Sequence, residues 1–241
     1  MSSAVSRVFV ALDTTSVADA VDRARAMRGA VAGVKLGLEF FSANGPAGVR
    51  QVVAEGLPLF LDLKFHDIPN TVAGAVRAVT PLGPFMLNVH AAGGVAMMRA
   101  ALGACADTAA KVGVRRPRVI AVTVLTSLGN DDLATIGQQG AAADQVRRLA
   151  ALAQEAGLDG VVCSPQEIEL LRRDCGRDFV LVTPGIRPAG AAAGDQKRVM
   201  TPAEAVRRGA DYLVIGRPIT AAEDPAAAAR AIAADIDRDV A

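Results

Sequence analysis

Short apolar, β-rich runs alternate with Ala-rich helical stretches along the whole chain, and this alternation constrains the fold more than any other feature. The strand runs lie at 7–13, 33–38, 57–64, 85–90, 118–125, 160–164, 179–184 and 212–217. Helical spacing occupies 17–28, 46–55, 70–80, 94–111, 142–156, 165–173, 202–208 and 225–236, so there are eight of each. Most strand runs are continuously apolar, as expected of parallel strands buried on both faces. Strict strand–helix order implies parallel crossovers. Eight such units in 241 residues point to an α/β fold, a TIM (β/α)8 barrel. The competing fold, an open doubly wound sheet, normally carries a glycine-rich turn after its first strand. Here that turn reads Asp13-Thr14-Thr15-Ser16. With 51% apolar residues the chain can bury a large core, and no composition break or linker divides it. Residues 1–241 are therefore read as a single domain.

The 26 basic and 25 acidic residues nearly cancel and form no cluster of one sign, which argues against nucleic acid or an anionic membrane surface as partner. A small-molecule ligand is expected. Cys105, Cys163 and Cys175 are odd in number and form no CxxC pair, which reads as reduced thiols in a cytoplasmic protein. The first residues lack a secretory pattern, and no apolar run reaches the ~18 residues of a membrane span.

TIM barrels carry their active sites at the carboxyl ends of the strands, and the polar residues of this chain fall there. The densest group is Asp62-Leu63-Lys64-Phe65-His66-Asp67, after the apolar stretch Leu57-Pro58-Leu59-Phe60-Leu61. Residues two apart on a strand share a face, so Asp62 and Lys64 project into the same space, with Asp67 beyond the strand end. A lysine held among carboxylates stays protonated near neutral pH, and it can stabilise a developing carbanion and then protonate it. An ordinary ion pair on a solvated turn is the competing reading of an isolated DxKxxD. Strand one adds Asp13, and strand two adds Lys35 in an apolar setting, where a lysine must reach the barrel mouth or find a partner. Strand four adds Asn88 and His90 as support residues, and strand five adds Thr123 and Thr126. With only two histidines in the chain, a metal cluster would need carboxylates from elsewhere, so no metal is assigned.

A phosphate site is indicated separately. The connection 185–198 is the longest irregular segment between a strand and its helix; it carries Arg187 and Gln196, with Arg198 readable as a solvated arginine. Strand eight then delivers Gly216 and Arg217. The seventh and eighth connections of a barrel are its usual phosphate site, so a phosphorylated small molecule is expected.

These residues resemble the orotidine 5′-monophosphate decarboxylase family in its bacterial form. The resemblance covers nearly the whole chain: VALD at 10–13, VKLG at 34–37, DLKFHDIPNT at 62–71, VTVLTS at 122–127, TPGIRP at 183–188, GDQKRV at 194–199 and IGRPI at 215–219. It implies cofactor-free decarboxylation of orotidine 5′-monophosphate to uridine 5′-monophosphate, the last step of de novo pyrimidine nucleotide synthesis. It also implies residue roles. Lys64 would protonate C6, Asp62 would face the substrate carboxylate, and Lys35 would join them in a charge network completed by Asp67 from a second subunit of a homodimer. Asp13 and Lys35 would hold the ribose hydroxyls, with help from the partner's Thr71, and Thr126 would recognise the pyrimidine. Arg187, Gly216 and Arg217 would hold the phosphate, with Gln196 bridging phosphate and base.

Two other functions fit parts of the pattern. A magnesium-dependent sugar-phosphate decarboxylase or aldolase of the same superfamily shares the DxKxxD array but needs a further acidic ligand on strand two, where Glu39 follows Gly37-Leu38. A non-catalytic nucleotide-binding barrel would not need Asp62, Lys64 and Asp67 intact. Lys35 and the FHDIPNT continuation favour the nucleotide decarboxylase.

Overall fold

A computed structural model of the chain describes residues 4–188 and 200–240. Eight parallel strands close into a barrel in sequence order: β1 (Val8–Ala11), β2 (Gly33–Gly37), β3 (Leu59–Phe65), β4 (Met86–His90), β5 (Arg118–Val122), β6 (Gly160–Val162), β7 (Val180–Thr183) and β8 (Tyr212–Ile215). Closure comes from the pairing of β1 with β8, with Val8 opposite Leu213 and Val10 opposite Ile215. The helices are α1 (Val17–Ala26), α2 (Leu38–Val53), α3 (Pro69–Val79), α4 (Gly94–Val112), α5 (Asn130–Thr135), α6 (Ala142–Glu155), α7 (Ile168–Cys175), α8 (Pro202–Arg207), α9 (Arg217–Thr220) and α10 (Pro225–Val240).

The barrel expected from the alternation is the barrel observed. Two helical differences have local causes. Helix α2 starts at Leu38 rather than at Pro46, and the chain turns at Gly45 (φ 57°) between its two runs. That turn is open to glycine because it has no Cβ. Helices α5 and α9 lie in connections where no helix is expected, and α9, with four residues, is too short for a helical period to show in sequence. Ser16 caps α1 by accepting from the Asp19 N–H.

Inward-facing residues divide the barrel into a floor and a mouth. Phe9, Phe60, Met86, Ile120, Val182 and Val214 pack together inside the strands. Toward the amino-terminal ends, Phe9 stacks on Phe85 (centroids 5.7 Å apart) and meets Tyr212 edge-on at 5.5 Å. The Arg118 guanidinium lies 4.7 Å from the Phe85 ring and donates to the Tyr212 hydroxyl at 3.0 Å. This aromatic plug seals the bottom, so polar residues farther along the strands face only the mouth. A second apolar layer, including Leu36, Leu61, Leu87 and Leu213, fills the space between strands and helices. None of the three cysteines forms a disulfide. Among the described residues, no helix is long and apolar enough to cross a membrane.

Candidate active site

A pocket of about 270 Å³ opens at the carboxyl ends of the strands. It gathers Asp13, Lys35, Asp62, Lys64, Thr126, Arg187, Gly216 and Arg217, residues spread over more than two hundred positions of the chain. Apolar walls come from Val124, Leu125, Val162, Cys163 and Val214.

Its floor is an ordered array of charges. On β2, Val34 and Leu36 face the helices while Lys35 faces the mouth. Register sets Gly37 opposite Asp62 across β2 and β3, and a Cβ on Gly37 would stand 3.2 Å from the Lys35 Nζ, so the glycine leaves room for the ammonium. Lys35 Nζ lies 3.3 Å from Asp62 Oδ2 and 3.5 Å from Asp13 Oδ1. Lys64 Nζ donates to Asp62 Oδ1 at 2.6 Å. Asn88, wholly buried on β4, donates from Nδ2 to the same Oδ1 at 2.7 Å and accepts the Lys64 backbone N–H at 2.8 Å. One carboxylate is thus met by two ammonium groups and an amide. Burial alone would push the Asp62 carboxyl up, but Lys35 and Lys64, with the hydrogen bonds from Lys64 and Asn88, hold it below the usual carboxylate range.

Simple strand alternation does not describe how Lys64 arrives there. β3 slips against β4, with Leu61 opposite Leu87 but Phe65 opposite Val89. Within that bulge Lys64 adopts φ 49°, and among the described residues it is the only non-glycine with positive φ. Such backbone strain concentrates at functional sites. The His66 and His90 rings lie 5.4 Å apart, and burial, then His66 and Lys64, lower the pKa of His90 against the opposing pull of Asp62.

The rim carries the cationic pair. β8 ends at Ile215, so Gly216 and Arg217 do not belong to the strand as its apolar run suggests: Gly216 is the N-cap of α9 and Arg217 its first residue. A Cβ on Gly216 would lie 3.6 Å from Ala11 Cβ and 3.8 Å from Asp13 Oδ2, so the chain passes close to the mouth of β1. Arg187 follows β7; its N–H donates to Met200 O at 3.0 Å, and Ile186 pairs with Met200, which ties the two ends of the intervening segment together. Gln196 and Arg198 lie outside the described residues. Likewise β5 ends at Val122, and Thr126 reaches the pocket from the connection beyond it. Thr123 is buried and donates to Val162 O at 2.9 Å, a structural role.

Two expected site residues stand apart from the pocket. Asp67 and Thr71 are exposed and do not line it, and Asp67 Oδ1 accepts the N–H of its own neighbour Ile68 at 2.6 Å. Glu39 is exposed on the first turn of α2 and also does not line the pocket. No group of three His, Cys, Asp or Glu among the described residues could hold a metal ion. The wall residues Val124, Leu125 and Cys163 were not singled out in the sequence; their position at the ends of two strand runs was the available clue.

Comparison with known proteins agrees with this geometry. The sequence model of the orotidine 5′-phosphate decarboxylase / HUMPS family matches residues 6–232. The chain is 62% identical over 230 residues to the orotidine 5′-phosphate decarboxylase of Rhodospirillum rubrum, covering 95% of this chain and 93% of that protein. It is 58% identical over 235 residues to the Moorella thermoacetica protein of the same name, covering 96% and 92%. Among solved structures, the orotidine 5′-phosphate decarboxylase of Lactobacillus acidophilus is similar with a TM-score of 0.84 and 37% identity, covering 96% of this chain and 99% of that one.

Proposed function

The chain belongs to the orotidine 5′-phosphate decarboxylase / HUMPS family, and from that membership we propose how its own residues divide the work. The reaction is decarboxylation of orotidine 5′-monophosphate to uridine 5′-monophosphate, the last step of UMP biosynthesis. Loss of CO₂ leaves an electron pair at pyrimidine C6 with no carbonyl placed to delocalise it, so a preorganised cation must stabilise it. Lys64 is that cation and then the proton donor to C6. The observation that carries this is the Lys64 ammonium, fixed 2.6 Å from Asp62 inside a pocket with two arginines on its rim.

Asp62 faces the departing carboxylate and fixes the Lys64 ammonium in place through their hydrogen bond. Lys35 balances Asp62 and, with Asp13, binds the ribose hydroxyls. Thr126 recognises the pyrimidine, and Arg187, Gly216 and Arg217 hold the phosphate, whose binding contributes to the chemical step although it lies away from C6. Gln196 bridges phosphate and base. Asp67 and Thr71 complete the site of a neighbouring subunit in a homodimer; their exposure beside Ile68, itself 67% exposed, supports that reading. The whole chain acts as one domain in the cytoplasm and needs neither metal nor organic cofactor.

The test is direct. Purified protein mixed with orotidine 5′-monophosphate should consume its ultraviolet absorbance, and exhaustive chelation should leave the rate unchanged. Lys64→Ala should abolish turnover while uridine 5′-monophosphate still binds through the rim and ribose contacts. Near-normal turnover in that variant would overturn the role of Lys64, and magnesium-specific restoration after chelation would overturn the metal-free mechanism.

A further inference from the structure

Asn88 lies outside the pocket lining, yet it touches both members of the pair on which the chemistry rests. It is the middle residue of β4 and has no exposed surface. The orientation of its amide follows from chemistry alone: a carboxylate only accepts and a backbone N–H only donates. Nδ2 must therefore face Asp62 Oδ1 at 2.7 Å and Oδ1 must face the Lys64 N–H at 2.8 Å. Both amide arms are used.

The second contact bears on an unfavourable conformation. A lysine at φ 49° is disfavoured by its Cβ, and the register of β3 on β4 shifts between Leu61 and Phe65, the stretch that contains it. A buried acceptor aimed at the Lys64 N–H holds the backbone in the turn from which the side chain doubles back to Asp62. The first contact occupies Asp62 Oδ1 together with Lys64, leaving Oδ2 to Lys35 at 3.3 Å. Each ammonium thereby keeps its own side of the carboxylate.

We propose that Asn88 is a positioning residue for the decarboxylation, one amide that fixes the Asp62 carboxylate and the left-handed Lys64 backbone together. The proposal rests on the role given to Lys64, which Lys64→Ala tests independently. Because Asn88 does not line the pocket, its loss should lower kcat and leave substrate affinity almost unchanged.

Two variants of similar volume test this. Asn88→Asp keeps an acceptor for the Lys64 N–H but presents a carboxyl group to Asp62. Ionised, that group repels Asp62; protonated, it donates as the amide did. Its kcat should be about 100-fold below wild type at pH 9, and the deficit should narrow about tenfold by pH 6, the scale seen when a supporting hydrogen bond is altered. Asn88→Leu removes both arms, and its kcat should fall by a similar factor at every pH. In both, KM for orotidine 5′-monophosphate and Kd for uridine 5′-monophosphate should stay within about threefold of wild type, the affinities also serving as evidence of folding. If Asn88→Leu fails to bind the product nucleotide, the pH profile of Asn88→Asp alone decides. A wild-type kcat in Asn88→Leu, or a deficit in Asn88→Asp that does not change with pH, overturns the role of Asn88. Either result, beside an inactive Lys64→Ala, leaves the role of Lys64 standing.

Discussion

At the scale of single residues, Asp62 concentrates the electrostatics of the site, and its ionisation should be visible in stability as well as in catalysis. Burial opposes its charge, but two ammonium groups and the Asn88 amide outweigh burial, so its folded pKa lies below the unfolded value of ~3.9. The unfolded chain therefore binds more protons than the folded one as pH falls through this range. The stability contributed by the Asp62 charge is complete above the unfolded pKa and is lost as pH falls through the lower folded value. The difference in unfolding free energy between wild type and Asp62→Asn should accordingly shrink between pH 6 and pH 3, measured by urea titration at one protein concentration. A difference that stays constant with pH would show that the charge is not what Asp62 adds. The pairing of Asp62 with Lys64 was legible in the spacing. The left-handed backbone of Lys64 was not, because nothing in a lysine codes for positive φ; the bulge and Asn88 impose it from a neighbouring strand.

At the scale of elements, the strand runs were legible because short continuous apolar stretches, alternating regularly with helical segments, are what buried parallel strands require. Six of the eight carboxyl ends were read too long, while β3 runs one residue further than read and β4 ends where expected. Val124 and Leu125 continue the apolar run of β5 but leave the ladder to wall the pocket, and Gly216 leaves β8 to cap α9. Hydropathy cannot separate a residue facing a core from one facing a ligand. Strand closeness at the other end depends on glycine. A Cβ on Gly160 would lie 2.1 Å from the Val180 carbonyl oxygen, its partner across β6 and β7. Main chain cannot yield as a flexible side chain does, so Gly160→Ala should cost at least about 2 kcal/mol, a fall in Tm of about 4–8 °C for a chain of this size. Gly103, inside α4, meets nothing within 4 Å, so Gly103→Ala should instead raise stability by about 0.5–1 kcal/mol. Equal Tm values for the two variants, by calorimetry, would remove close strand approach as the reason for Gly160.

At the scale of the whole molecule, one chain assembles most of the expected site but leaves Asp67 and Thr71 on its surface, next to the exposed Ile68. Sequence spacing puts Asp67 three residues past Lys64, beyond the strand end, where it can point out of its own barrel; the strand ends at Phe65, and Asp67 is exposed before α3. The proposed twofold pair of chains would account for their position, because a twofold interface is self-complementary and each subunit would lend Asp67 to its neighbour. Mixing two inactive variants tests this sharing. Lys64→Ala and Asp67→Asn chains are unfolded and refolded together so that subunits pair at random. In a hybrid dimer, one site takes Lys64 from the Asp67→Asn chain and Asp67 from the Lys64→Ala chain and is therefore intact, while the other carries both defects. With equal mixing, half the dimers are hybrid, so roughly a quarter of all sites should recover native composition and activity. If each site used its own Asp67, every site would keep one defect and mixing would restore nothing. Mixtures as inactive as their parents, with hybrid dimers confirmed by mass spectrometry, would place Asp67 outside any shared site.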